Sequence, residues 1–134
     1  LASLAAVPGL CLYSASKFAV RGFSLAAAAE LKPRGVAVTV VMPDAVQTPM
    51  LDLQVNYEEA AMTFSGDAPL TVDDIESAIV KRVLPRRPME LTIPLGRGLL
   101  ARAANTAPAA ALMLAPTLTK KGRKAQEKAK KSGA

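Results

Sequence analysis

A long helical pattern that runs directly into a β-branched pattern is the feature that most constrains the fold of this chain. Residues 14–31 are rich in alanine and leucine and contain no proline, which predicts a helix of about five turns. Pro33 and Gly35 end this helix, and the apolar run Val36–Met42 follows at once. Such a run is typical of a parallel-sheet strand that helices cover on both faces. Together they predict the second half of a βαβ unit and an α/β fold.

A long loop follows the predicted strand. Residues 43–70 contain three prolines and one glycine, and they predict a short helix only over residues 49–57. The stretch is too long for a simple connection, and loops of this length often cover functional sites.

The rest of the chain predicts a helix, a short strand and an apolar helical region. Thr71 reads as an N-cap with Asp74 at the third helical position, and Pro85 is expected to end this helix. A short strand is predicted over residues 89–93. Residues 96–118 are predicted to be an apolar helical extension, broken by prolines.

The net charge of the chain is concentrated near its C-terminus. The formal charge is +6, and residues 119–134 hold seven Lys or Arg and one Glu, whereas charges balance over residues 1–118. The body of the protein therefore has no basic surface for nucleic acid, and we expect no such partner. We predict that residues 119–134 form a disordered basic tail.

Two residue counts exclude whole classes of site. Without histidine, the chain cannot supply a Ser-His-Asp triad, a Cys-His dyad or a histidine metal site, and we expect no metal. The single cysteine, Cys11, excludes a disulfide within the chain and fits a reducing compartment. No apolar run reaches the roughly 18 residues of a membrane-spanning helix, and the first residues lack the basic start of a signal peptide. We therefore expect a cytoplasmic protein.

Tyr13 and Lys17, at the start of the first predicted helix, are the residues that point to chemistry. Positions i and i+4 share one helix face, so the phenol and the ammonium project together. A nearby cation favours the phenolate form of a tyrosine, and such a pair can exchange a proton with a carbonyl or hydroxyl oxygen. The same spacing also occurs when a helix simply begins with a tyrosine and carries a solvated lysine.

The surroundings of this pair resemble the short-chain dehydrogenase/reductase (SDR) family in order and spacing. The resemblance rests on Pro8-Gly9, on the run Tyr-Ser-Ala-Ser-Lys-Phe-Ala-Val from Tyr13, and on Pro-Asp-Ala-Val-Gln-Thr-Pro from Pro43. It covers residues 1–95 and implies the C-terminal half of a doubly wound, Rossmann-like parallel sheet. The family's glycine-rich cofactor loop has no counterpart here, so we expect a fragment that is inactive by itself.

The resemblance implies roles for individual residues. Tyr13 would be the general acid/base, and Lys17 would hold the nicotinamide ribose and tune the tyrosine. The turn after the strand would contact the nicotinamide carboxamide through Pro43, Val46 and Thr48. The cofactor would be NAD or NADP, and the residues that select between them lie in the half that this chain lacks.

Further positions follow from the same resemblance. Ser3 would be the serine that binds the substrate oxygen, but it lies only ten residues before the tyrosine. Either this loop is short, or the family's serine lies upstream of Leu1. Asp44 stands where the family usually has glycine, and the substrate-covering loop would contribute Met50, Leu53 and Tyr57.

A second glycine pattern looks like a dinucleotide fingerprint. Gly96-Arg97-Gly98-Leu99-Leu100-Ala101 fits Gly-x-Gly-x-x-Ala between a strand and a helix. That fingerprint also requires an acidic residue about 20 positions later, and no Asp or Glu lies between Glu90 and Glu127. We therefore expect no phosphate-binding role here.

These observations predict an NAD(P)-dependent oxidoreductase that interconverts a carbonyl and a secondary alcohol. The apolar loop and the apolar C-terminal segment favour a small lipophilic substrate. The alternative is a non-catalytic relative that acts as a binding or membrane-surface module. The C-terminal region leaves two interpretations open. Either residues 99–118 and the basic tail contact an anionic membrane surface, or residues 99–114 cap the sheet or pair with a second subunit in a homo-oligomer while the tail only aids solubility.

Overall fold

The structure, a computed structural model, describes residues 1–132. It is an α/β fold, mostly helical, with one two-stranded parallel sheet, as the sequence predicted at this coarse level. Its helices and strands are α1 (Cys11–Leu31), β1 (Val40–Pro43), α2 (Pro49–Gln54), α3 (Val72–Ala78), α4 (Leu84–Arg86), β2 (Glu90–Ile93), α5 (Leu95–Thr106) and α6 (Pro108–Ser132). Two 3₁₀ segments (Lys32–Arg34 and Glu58–Ser65) and a π-helical turn (Ile79–Val83) complete them.

The two strands pair in parallel, from Val40 opposite Glu90 to Pro43 opposite Ile93. The amide of Asp44 extends the ladder by donating to the Ile93 carbonyl at 2.8 Å. The first strand begins four residues later than the run 36–42 predicted, because within residues 1–132 only the four residues of β2 offer it partners. A segment without a partner strand does not form a sheet, even where its side chains favour the β conformation.

Both faces of this small sheet are covered. On one face Val40 and Met42 pack with Leu4 and with Ala101 of α5. On the other face Leu91 and Ile93 of β2 pack against α3. Burial on both sides explains why β1 reads as a continuous apolar run rather than an alternating one.

Local signals position most helix ends. Gly35, with a φ of 75°, follows the turn that ends α1, and Thr71 forms a full capping box with Asp74 at the start of α3, as predicted. The prediction that Pro85 ends that helix is wrong. Pro85 lies inside a helical path that runs on from α3 through the π-helical turn, and this path stops only at Arg87, whose φ is 46°.

The C-terminal region departs most from the sequence prediction. Residues 119–132, predicted to be a disordered tail, are helical within α6, and Pro116 lies inside this helix instead of breaking it. Residues 133–134 lie outside the described part of the chain. The helix docks on the 3₁₀ segment 58–65, where Gly122 meets the Ala61 carbonyl and Gln126 is 6% exposed. These long-range contacts, which composition cannot reveal, offset the poor intrinsic order of the basic segment.

None of the helices within residues 1–132 is both long enough and apolar enough to cross a membrane.

Candidate active site

The first two turns of α1 present Tyr13 and Lys17 side by side. The Nζ of Lys17 lies over the ring of Tyr13, 5.1 Å from the ring centroid. At this distance the ammonium is attracted by the electron-rich face of the ring, which orders both side chains. The i, i+4 spacing thus brings the two groups together, and both are partly exposed.

Two serines beside this pair serve the local backbone. The buried Ser14 accepts a hydrogen bond at Oγ from the Val7 amide at 3.1 Å, which ties the preceding loop to the helix. The Oγ of Ser16 donates to the Tyr13 carbonyl at 2.7 Å. Neither hydroxyl is therefore directed to the space beside the tyrosine ring.

Tyr13 and Lys17 line a cavity of about 730 Å³. Its volume lies in the range of small-molecule sites, roughly 300–1,000 Å³. Most of the predicted site residues meet in its wall, although they come from four separate segments of the chain. These residues are Ser3, Tyr13, Lys17, Pro43, Val46, Thr48 and Met50.

Ser3 reaches the cavity from the segment before α1. It is 8% exposed, and its neighbour Leu4, at 1%, anchors this segment in the core against β1. The short spacing between Ser3 and Tyr13 therefore still allows both residues to line one cavity.

The turn after β1 brings Pro43, Val46 and Thr48 to the same cavity. Backbone hydrogen bonds hold it, because Leu70 donates to the Ala45 carbonyl and accepts from the Gln47 amide, both at 2.8 Å. Its position 44 does not require glycine, since Arg87 is the only non-glycine residue with a positive φ in the described chain. The aspartate is thus compatible with the turn.

Of the three residues predicted for the substrate loop, only one lines the cavity. Met50 lines the cavity, whereas Leu53 and Tyr57 do not, although all three residues are more than half exposed. Because Leu51 is the buried residue of α2, the position two residues later points away from the core. The structure therefore does not bring Leu53 and Tyr57 to the site.

Another part of the wall comes from the two C-terminal helices, and it was missing from the sequence-based list. It is largely aliphatic and includes Leu100, Ala104, Ala111, Leu112, Ala115 and Leu118. Apolar periodicity marks these positions as packing residues, but nothing local shows which cavity they enclose.

The cavity wall contains groups suited to the nicotinamide end of a dinucleotide cofactor. Lys17 could hold the ribose, and the turn 43–48 could hold the carboxamide. Within the glycine pattern 96–101, a Cβ at Gly98 would collide with the side chain of Thr92. This glycine therefore lets α5 pack closely on β2. Within residues 1–132, no group of three or more Cys, Asp or Glu side chains could hold a metal.

Part of the chain is similar to proteins of known family. Residues 1–59 match the family model for short chain dehydrogenases. Diacetyl reductases [(S)-acetoin forming] of Staphylococcus aureus strains Mu50, MW2 and N315 are each 49% identical to this chain over 45 residues. The match covers 34% of this chain and 17% of each relative's length. No solved structure matches the chain significantly. These matches support a fragment of the short-chain dehydrogenase/reductase family, and the matched part, residues 1–59, carries the Tyr-x-x-x-Lys helix and the following strand.

Proposed function

We propose that the complete protein reduces a carbonyl, or oxidises the matching secondary alcohol, with NAD or NADP and with Tyr13 as the acid/base. The observation that carries this proposal is the meeting of Ser3, Tyr13, Lys17 and the turn 43–48 at one cavity. This chain would supply the proton-transfer and substrate side of the site. The half that binds the rest of the cofactor would come from outside these 134 residues.

The chemistry at the site would be a proton transfer matched to hydride transfer, with the nicotinamide supplying the hydride. In the reducing direction the Tyr13 hydroxyl donates its proton to the carbonyl oxygen as negative charge develops there. The Lys17 ammonium stabilises the phenolate that remains. Ser3 would orient the carbonyl oxygen, and the aliphatic wall would exclude water from the reacting atoms.

The substrate is proposed to be lipophilic. The cavity wall from α5 and α6 is aliphatic, and the described chain places few charged side chains in it. The curated relatives are named for diacetyl, a small diketone, but their match covers only 45 residues. Because the wall residues 100–118 lie outside the matched family segment 1–59, they are free to set a different preference.

A substrate comparison tests this proposal. The complete gene product is assayed for oxidation of NADH and NADPH with diacetyl and with 2-undecanone as substrates. We expect kcat/KM for 2-undecanone to exceed that for diacetyl by about tenfold or more, since each buried methylene contributes about 0.8 kcal/mol. A preference for diacetyl would refute the lipophilic substrate, and no turnover with any carbonyl would refute the oxidoreductase.

We further propose that α6 contacts an anionic membrane surface. The outward face of this continuous helix carries Met113, Lys120, Lys124 and Lys131 at spacings of seven, four and seven residues. Met113 is 82% exposed, whereas Leu112 and Leu114 beside it line the cavity. An exposed apolar side chain on the same helix face as several lysines favours a lipid interface over nucleic acid.

Vesicle co-sedimentation tests this second proposal. The triple variant Lys120→Gln/Lys124→Gln/Lys131→Gln should lose most binding to vesicles that contain phosphatidylserine, because each lysine near the surface contributes about 1 kcal/mol. A control variant with three exposed basic residues neutralised elsewhere should bind like the parent (Lys32→Gln/Arg34→Gln/Lys81→Gln). Equal loss in both variants, binding to neutral vesicles alone, or binding to DNA in preference to vesicles would contradict a lipid contact.

A further inference from the structure

An ion pair joins the turn after β1 to the first turn of α5. The Nε of Arg97 donates to Oδ2 of Asp44 at 2.7 Å, and its NH2 lies 3.4 Å from Oδ1. The same NH2 donates to the Oγ of Ser65 at 3.3 Å. The side chains of Arg97 and Asp44 are 29% and 19% exposed, so the pair is largely shielded from solvent.

Arg97 lies in the first turn of α5, where its positive charge is unfavourable without a carboxylate partner such as Asp44. The first turn of a helix carries the positive end of its macrodipole, and a basic residue there is unfavourable by itself. A carboxylate that accepts two hydrogen bonds from the guanidinium offsets this cost and fixes the relative orientation of the two segments.

The ion pair gathers three segments at the edge of the cavity. Asp44 belongs to the turn 43–48, Ser65 ends the 3₁₀ segment, and Arg97 belongs to α5. All three residues line the cavity that contains Tyr13. Backbone hydrogen bonds connect the turn to Leu70, and the ion pair between Asp44 and Arg97 connects it to α5.

We propose that Arg97 is a positioning residue for the nicotinamide end of the site. By anchoring Asp44 it holds the turn 43–48, so that Val46 and Thr48 face the cofactor, and it places a positive charge beside the Asp44 carboxylate at the cavity edge. This inference rests on the proposed function for the identity of the ligand. The anchoring itself is a property of the chain without ligand.

The first measurement is amide hydrogen exchange of the protein without cofactor. In Arg97→Ala, exchange at Gln47 and Leu70 should accelerate about tenfold or more, because a charge-assisted hydrogen bond no longer holds the turn. The matched control is Arg102→Ala, which removes another α5 arginine from an ion pair, that with Glu90, away from the turn. Exchange at the turn should stay at the parent rate in this control. Equal exchange in parent and Arg97→Ala, or equal acceleration in both variants, would overturn the anchoring role.

The second measurement is the dissociation constant of NADH and NADPH for the complete protein, by fluorescence titration. Arg97→Ala should weaken binding about tenfold, Arg97→Lys should recover part of it because the charge is kept, and Arg102→Ala should bind like the parent. Unchanged binding in Arg97→Ala would overturn the positioning role. If the parent bound neither cofactor, the proposed function would fail, and the exchange data would still decide whether Arg97 holds the turn.

Discussion

Glu90, at the start of β2, lies between two arginines from different helices. Its carboxylate pairs with Nε of Arg21 on α1 at 2.5 Å and with NH2 of Arg102 on α5 at 2.8 Å. Burial raises the pKa of the Glu90 carboxyl, but the hydrogen bonds from Arg21 and Arg102 outweigh burial, and the net pKa is below the ordinary value of 4.5. The charged form of Glu90 therefore stabilises the fold by linking two helices to the sheet.

This linkage predicts a pH dependence of stability. A carboxyl whose pKa is lower in the folded state stabilises fully above its unfolded pKa, and this contribution is lost as the pH falls through the folded pKa. Glu90→Gln should therefore lower the free energy of unfolding by about 2 kcal/mol at pH 7. This difference between variant and parent should shrink as the pH falls below 4.5, the ordinary pKa of the carboxyl. Urea unfolding monitored by circular dichroism at several pH values measures it. The exposed Glu76→Gln on α3 serves as control, and a difference that did not shrink as the pH falls would contradict the ion-pair explanation.

The functional partner of a residue can be recognised from the sequence in some cases and not in others. Tyr13 and Lys17 could be recognised because their relation is local, four residues apart on one helix. The partner of Asp44 could not, because Arg97 lies 53 positions away and only the fold brings the two together. A charged residue at a turn position where glycine is usual was the sole signal that some partner was needed.

At the scale of elements, α6 depends on a close approach that a single glycine permits. A Cβ on Gly122 would collide with the carbonyl of Ala61 in the 3₁₀ segment. Gly22, within α1, has open space around its Cβ position. The two glycines therefore provide a matched pair, each in the interior of a helix.

The two alanine substitutions should have opposite effects. Gly22→Ala should be neutral or stabilise by up to about 1 kcal/mol, because alanine loses less backbone entropy in a helix. Gly122→Ala should destabilise by about 1–3 kcal/mol, since the added methyl group forces α6 away from its support. Thermal unfolding and limited proteolysis of the region 108–132 would show it. Equal melting temperatures for the two variants would mean that α6 does not dock as described.

Element types were predicted better than element ends. Helix and strand patterns at α1, α3 and β2 are local, and the capping box of Thr71 and Asp74 could be read directly. The disordered tail was a wrong prediction because the order of residues 119–132 comes from packing on residues 58–65, not from local propensity. The strand limits of β1 likewise depend on which backbone groups find partners.

At the scale of the whole molecule, the sheet is small for the helices around it. Two strands are present within residues 1–132, and β1 pairs with β2 along one edge. Three or more strands are the usual minimum for a stable open sheet. We propose that the complete protein adds strands beyond β1 and completes the doubly wound sheet, together with the cofactor-binding half. The length of the curated relatives, of which the match covers 17%, supports this view.

The most direct test of the proposed function is Tyr13→Phe in the complete protein. This change removes the proton-donating hydroxyl and keeps the aromatic ring beside Lys17. Turnover with NADH or NADPH and the better of the two carbonyl substrates should fall by a factor on the order of 10²–10⁴, while the dissociation constant of the cofactor stays within about threefold of the parent. Steady-state kinetics and fluorescence titration on the same preparations give both values. Turnover of Tyr13→Phe within about threefold of the parent would contradict the assignment of Tyr13 as the acid/base.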